Sequence, residues 1–176
     1  MITTKSYISF ANKLNDFCGK SFAWLTLAMV LITISIVLSK FFFNTSSIQI
    51  EESVTYMFGM MFMVGVAYTL RHDNHVRVDI FYSKMSKRSK AWVDIFGTVV
   101  FLLPFCLFVL WFSFGPVIDS WGVEGAKDTG GIPAIYVLRA FLLVMPVLLA
   151  IQGLANILTN LETIKHEDTK QQETNQ

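Results

Sequence analysis

Four uncharged runs govern what this chain can become. Between Lys20 and Lys40 lie 19 residues without a charge, between Glu52 and Arg71 18, between Asp94 and Asp119 24, and between Arg139 and Glu162 22. A bilayer core of roughly 30 Å needs about 20 helical residues at about 1.5 Å each, so every run is near or beyond that length. Backbone in lipid must satisfy its own hydrogen bonds, which makes helices the solution. The expectation is an all-α integral membrane fold with transmembrane helices over about residues 21–43, 53–70, 95–118 and 133–161. They form a single membrane domain over 1–176, with 162–176 as a polar tail. At 53% hydrophobic and 15% charged residues, the chain is too apolar for an ordinary soluble domain. The first run is longer than a signal-peptide core and ends in Lys40-Phe41-Phe42-Phe43 without a cleavage site, so it reads as a retained span.

Charge sets the expected orientation. Residues 71–94 hold Arg71, Arg77, Lys84, Lys87, Arg88 and Lys90, whereas the loop before span two has only Lys40. The loop after span three has Lys127, with Arg139 opening span four. Excess Lys and Arg belongs on the cytoplasmic side, which predicts an N-in/C-in topology with Glu51 and Glu124 outside. Trp24, Tyr68 and Trp92 then fall at inner span ends, and Tyr56, Trp111, Trp121 and Tyr136 at or near outer ends, as aromatic belts require.

Between the spans the expectations are more local. Ser9 to Lys20 reads as a short surface helix with Ile8, Leu14, Phe17 and Cys18 on its apolar side. Val76, Ile80, Phe81 and Met85 share one helical side, which predicts a cytoplasmic amphipathic segment between spans two and three. Pro104 and Pro146 each remove a backbone donor inside a span and predict kinks packed against neighbours, with no polar cluster beside them. Thr129-Gly130-Gly131-Ile132-Pro133 reads as a turn leading into span four, and residues 162–176 as disordered.

The spans contain no His and, away from their ends, no Asp or Glu. That excludes haem held between helices by histidine and argues against a proton-coupled exporter built on a buried carboxylate. Catalytic motifs of the GxSxG, P-loop and HExxH kinds are missing, and nothing suggests nucleic acid binding or an enzyme. Cys18 and Cys106 are placed as apolar fillers, not as a disulfide. Arg71, His75 and Asp79 are spaced to align on one face of a continuing helix, with charge-assisted pairing. His72, Asp73, His75 and Asp79 are types that a metal accepts, but their spacing fits no defined site. Glu51 and Glu52 complement the dipole at the start of span two, and Gly59 and Gly65 permit close helix approach within or between subunits. Glu124, Lys127 and Asp128 form an outer loop able to dock a soluble partner.

Glu51-Glu52, Gly65 and the run Arg71-His72-Asp73-Asn74-His75-Val76-Arg77-Val78-Asp79 resemble a family pattern: an acidic pair, a "lGaa" stretch, an Arg, then "H-hydrophobic-x-hydrophobic-D". Gly130-Gly131-Ile132-Pro133 through Arg139 and Leu149-Ala150-Ile151-Gln152-Gly153 are similar to its "GGLP…K…LLxxQG", with Ile132 and Arg139 where Leu and Lys are more usual. The family is the small (Q-type) permease subunit of tripartite ATP-independent periplasmic (TRAP) transporters, and the likeness covers about residues 20–160. It implies a subunit in a bacterial inner membrane that braces a large permease and helps dock a periplasmic substrate-binding protein. It implies sodium-driven uptake of an organic acid, with substrate and sodium sites on the large subunit and no cofactor on this chain. The structural motif would be Glu51, Glu52, Gly65, Arg71, His75, Arg77 and Asp79, with Glu124, Lys127 and Asp128 facing the periplasmic partner. The polar tail ending at Gln176 points to a large subunit on a separate chain. An independent tetraspan channel or exporter, or a membrane anchor for another complex, are the alternatives.

Overall fold

The computed structural model describes residues 2–45, 47–72, 85–122 and 135–174, all of them helical apart from short caps and turns. Helix α1 runs over Ile2–Phe43 without interruption, about 63 Å at the usual rise per residue. It therefore exceeds a bilayer, and the expected separate surface helix over residues 9–20 is instead its first turns. Asn44 ends it in a left-handed conformation (φ 49°), donating its N–H to the Lys40 carbonyl. Asparagine is one of the few residues that takes this role readily. Ser47 then opens α2 (Ile48–Arg71), its carbonyl accepting from the N–H groups of Ile50 and Glu51.

Helix α3 (Lys87–Gly97) starts at Ser86, whose hydroxyl accepts from the Ser89 N–H at 3.2 Å. It continues through a π-helical turn (Thr98–Leu102) into α4 (Leu103–Gly122). The π turn is the chain's answer to Pro104. Leu103 donates to Thr98, one residue further back than an α-helix would place the bond. The ladder thus steps around a residue that has no N–H to give. The expected kink is a widened turn. Pro116 lies inside α4 and Pro146 inside α5 (Ile135–Thr174). Helix α5 continues well past residue 161, so the tail expected to be disordered is helical to Thr174. Ile164 is buried, and Arg88 of α3 pairs with Asp168 at 3.1 Å.

Among the described residues, four helical stretches are long and apolar enough to cross a membrane: Thr4–Phe43, Ile48–Arg71, Lys87–Trp121 and Tyr136–Thr169. They are not equivalent. In its most apolar window α5 is 33% buried, whereas the first and third stretches are 6% buried and α2 11%. Helix α5 packs against α1, α2, α3 and α4, while the α1–α2 hairpin and the α3–α4 helix meet mainly through it. The core is small: Val64 and Ala67 of α2, Cys106 of α4, and Leu148 and Leu149 of α5. Leu14 and Cys18 of α1, expected on the apolar side of a surface helix, pack instead on this core. Phe17, assigned to the same face, is 73% exposed. Between helices in lipid no hydrophobic driving force acts, so close packing and interhelical hydrogen bonds must hold such a core. Two glycines show the closeness. A Cβ on Gly59 would lie 2.6 Å from Leu138 Cδ1, and one on Gly19 would run into the stem of the Tyr68 side chain.

Candidate functional site

The polar side chains gather where α1 begins and α2 ends. On α1, Asn12, Asn15 and Asp16 are spaced i, i+3, i+4 and so share a face. On α5, Gln152 and Asn156 are spaced i, i+4. The two sets meet. Asn15 Nδ2 donates to Gln152 Oε1 at 2.8 Å and to the Ala11 carbonyl at 3.2 Å. Gln152 Nε2 faces Asn12 Oδ1 and Asn156 Oδ1, each at 3.1 Å. Tyr7 adds its hydroxyl to the Ile151 carbonyl at 3.2 Å. Asn15 and Gln152 are each 1% exposed, so both amides have left solvent and depend on each other. Ala11 and Ala155 are buried at the same level and allow the helix axes to approach.

A charged layer adjoins this amide layer. Arg71, at the last turn of α2, pairs with Asp16 and donates from an Nη to the Asn12 carbonyl at 2.8 Å. Both side chains are about three-quarters buried. The His72 ring lies 4.3 Å from that of Tyr68, its Nδ1 3.1 Å from the Tyr68 carbonyl and its Nε2 3.8 Å from Asp16. One carboxylate on α1 therefore receives two side chains from the end of α2. Arg71 is bound to α1, a partner that the i, i+4, i+8 spacing with His75 and Asp79 does not include. His75, Arg77 and Asp79 lie outside the described residues, as do the amphipathic segment, Asp73, and the loop of Glu124, Lys127 and Asp128.

At the opposite end the acidic pair divides. Glu51 bridges to Lys40 of α1 at 2.6 Å, with both side chains about half exposed. Glu52 and Arg139 lie within electrostatic range of the Tyr56 hydroxyl, and an Arg139 Nη reaches the Pro116 carbonyl at 3.5 Å. This arginine ties the first turn of α5 towards α4 and α2, in keeping with a charge near a helix end that escapes the bilayer centre. Gly65 behaves unlike Gly19 and Gly59. A Cβ there would meet nothing within 4 Å among the described residues, so no contact with them requires a glycine. It opens instead onto a groove between α1 and α2.

Sequence reasoning found Arg71 but missed Asn12, Asn15, Asp16 and Asn156, and assumed no polar cluster near Pro146. Gln152 stands six residues from that proline. The available signal was the i, i+4 amide pair, Gln152 and Asn156, inside an otherwise apolar run. Such a pair in lipid has to find partners. Among the described residues, no three His, Cys, Asp or Glu side chains converge as a metal site, and both cysteines are free thiols. The arrangement is one of amides, a guanidinium and a carboxylate engaging one another across three helices, with the buried Asn15 Oδ1 left without a partner among the described residues. Its chemistry is that of a clamp.

Comparison with known proteins adds one finding. The family model described as "Tripartite ATP-independent periplasmic transporters, DctQ component" matches residues 29–163, about three-quarters of the chain. No curated protein and no solved structure matches.

Proposed function

Because the chain belongs to the DctQ family, the small membrane subunit of TRAP transporters, we propose that it braces the large permease of a sodium-driven organic-acid uptake system in a bacterial inner membrane. The observation that carries this reading is the imbalance of burial. The first and third spans bury only 6% of their most apolar windows within the chain, yet both carry large exposed aromatics such as Trp24, Phe101 and Trp111. A helical unit with so little core of its own suits a scaffold that finishes its packing against lipid and another membrane protein.

In this reading the charged layer around Arg71 and Asp16 faces the cytoplasm, as do both termini. Glu51, Glu52 and Gly65 belong with Arg71, His75, Arg77 and Asp79 to the structural motif. The loop carrying Glu124, Lys127 and Asp128 meets the periplasmic substrate-binding protein. Substrate and sodium sites reside on the large subunit, and this chain holds no cofactor. Its polar groups support a holding role, since the amides and Arg71 are engaged with neighbouring helices. The test is purification of the chain from its native membrane in mild detergent, with mass analysis of what accompanies it. A large multi-span permease in equal amount is the expected companion. A chain that emerges alone and moves solute across liposomes unaided would refute the reading.

A further inference from the structure

We propose that the groove between α1 and α2 is a seat for one phospholipid with an anionic headgroup, taken from the leaflet at the Arg71 end of the protein. The groove has a volume of about 460 Å³ and a largely apolar lining. At the Arg71 end of the groove stand Gly19, Lys20 and Tyr68; towards the other end stand Thr26 and Met61, with Gly65 along the wall. The Thr26 hydroxyl and Met61 sulfur, 2.9 Å apart, link the two walls at the end away from Arg71. From Met61 to Thr69 the α2 wall is about 12 Å long, against about 15 Å for one leaflet of the hydrocarbon core. The groove therefore runs most of one leaflet and stops. That shape suits an acyl chain entering from one side. A partner's transmembrane helix is about 10–12 Å wide and would need a channel continuing through both leaflets.

Charge decides the headgroup. Lys20 lines the mouth and is exposed, with Lys13 two turns away on the same helix and also exposed. Among the described residues, the carboxylate between them on the same helix, Asp16, is already held by Arg71. Trp24 stands exposed one turn beyond Lys20, at the depth where an indole ring sits among glycerol and headgroup atoms. Gly65 also gains a reason to be glycine. A side chain there clashes with nothing among the described residues and projects into the groove.

The experiment counts lipids retained by the full chain, purified from its native membrane with any protein that accompanies it, by native mass spectrometry. The wild-type chain should retain phosphatidylglycerol in stoichiometric amount. Gly65→Leu and Ala23→Leu, which fill the groove from opposite walls, should keep their helicity by circular dichroism and lose that lipid. Lys20→Gln should keep a lipid but lose about fivefold in preference for phosphatidylglycerol over phosphatidylethanolamine, the weight of one lysine near an anionic surface. Unchanged lipid in both leucine variants overturns the proposal. So does loss of a co-purifying protein with lipid retained, which would make the groove a protein seat. A readout needing no variant is the melting temperature of the wild-type chain. Added phosphatidylglycerol should raise it and phosphatidylethanolamine should not, and equal effects overturn the proposal.

Discussion

Gln152→Leu tests whether the amide layer holds the first half of α1 in place. Leucine has nearly the same volume, so the substitution removes hydrogen bonds with little change in packing. Three are lost: one from Asn15 and two to Asn12 and Asn156. Interhelical hydrogen bonds within membranes average about 0.6 kcal/mol each, which gives about 1.2 kcal/mol for the two that join α5 to α1, the third lying within α5. Asn15 keeps its bond to the Ala11 carbonyl, and Asn12 and Asn156 are only half-buried and can turn to water. The orphaned groups therefore add little to that figure. The loss is local, because the core formed by Val64, Ala67, Cys106, Leu148 and Leu149 remains. Hydrogen exchange in lipid nanodiscs should show residues 2–20 exchanging about sevenfold faster, while α2 and α4 are unaffected. Asn156→Ala removes only the bond within α5 and should leave the same peptides near the wild-type rate. Unaltered exchange over residues 2–20 in Gln152→Leu would refute the reasoning and return this segment to a surface helix held by lipid.

The glycines separate by what faces them. Gly19→Ala should destabilise the chain by about 1–3 kcal/mol in denaturant titration, because the Tyr68 stem cannot move aside, whereas Gly65→Ala should be neutral or stabilising by up to about 1 kcal/mol. A double-mutant cycle on Arg71→Ala and Asp16→Ala should give a coupling of about 1–2 kcal/mol, and each single variant should recover less large permease without changing substrate affinity. Additive effects would show the pair to be uncoupled. Lys40→Ala should cost less than about 1 kcal/mol and lose even that at high salt, since its bridge to Glu51 is half exposed.

The spans were legible because length and lack of charge are properties of short windows, and a membrane constrains little else. What escaped was set by distance along the chain. Asn12 and Gln152 are 140 residues apart, so nothing near residue 12 announces that its face is occupied. Read alone, Leu14, Phe17 and Cys18 look like one apolar side, and only the crossing of α5 shows that Phe17 lies outside it. The tail failed for a related reason. Its polar composition suits disorder, but Ile164 and the pairing of Asp168 with Arg88 draw it onto α3 as helix. The glycines were visible as a type and ambiguous in role. Gly59 and Gly65 have the same local look, and the structure packs one against Leu138 and leaves the other open.

The stretch Leu148 to Asn156 explains how four helices hold together with so small a core. Leu148 and Leu149 join the residues of α2 and α4 in the core. The Ile151 carbonyl receives Tyr7, and Gln152 receives Asn12 and Asn15 of α1. Gly153 faces the π turn, where a Cβ would lie 2.8 Å from Leu102 and 3.2 Å from Thr98. Consecutive residues of one helix thus address each of the other membrane-crossing helices, and they include the Leu-Ala-Ile-Gln-Gly run on which the family resemblance rests. The widened turn before Pro104 and the missing side chain at Gly153 lie opposite each other, so the close approach there depends on both. A Gly153→Leu variant would wedge α3 and α4 from α5 while sparing the contacts of α1 with α2. If the chain is a brace, this concentration of contacts is what leaves the long apolar flanks of α1 and α4 free for lipid and for a larger partner.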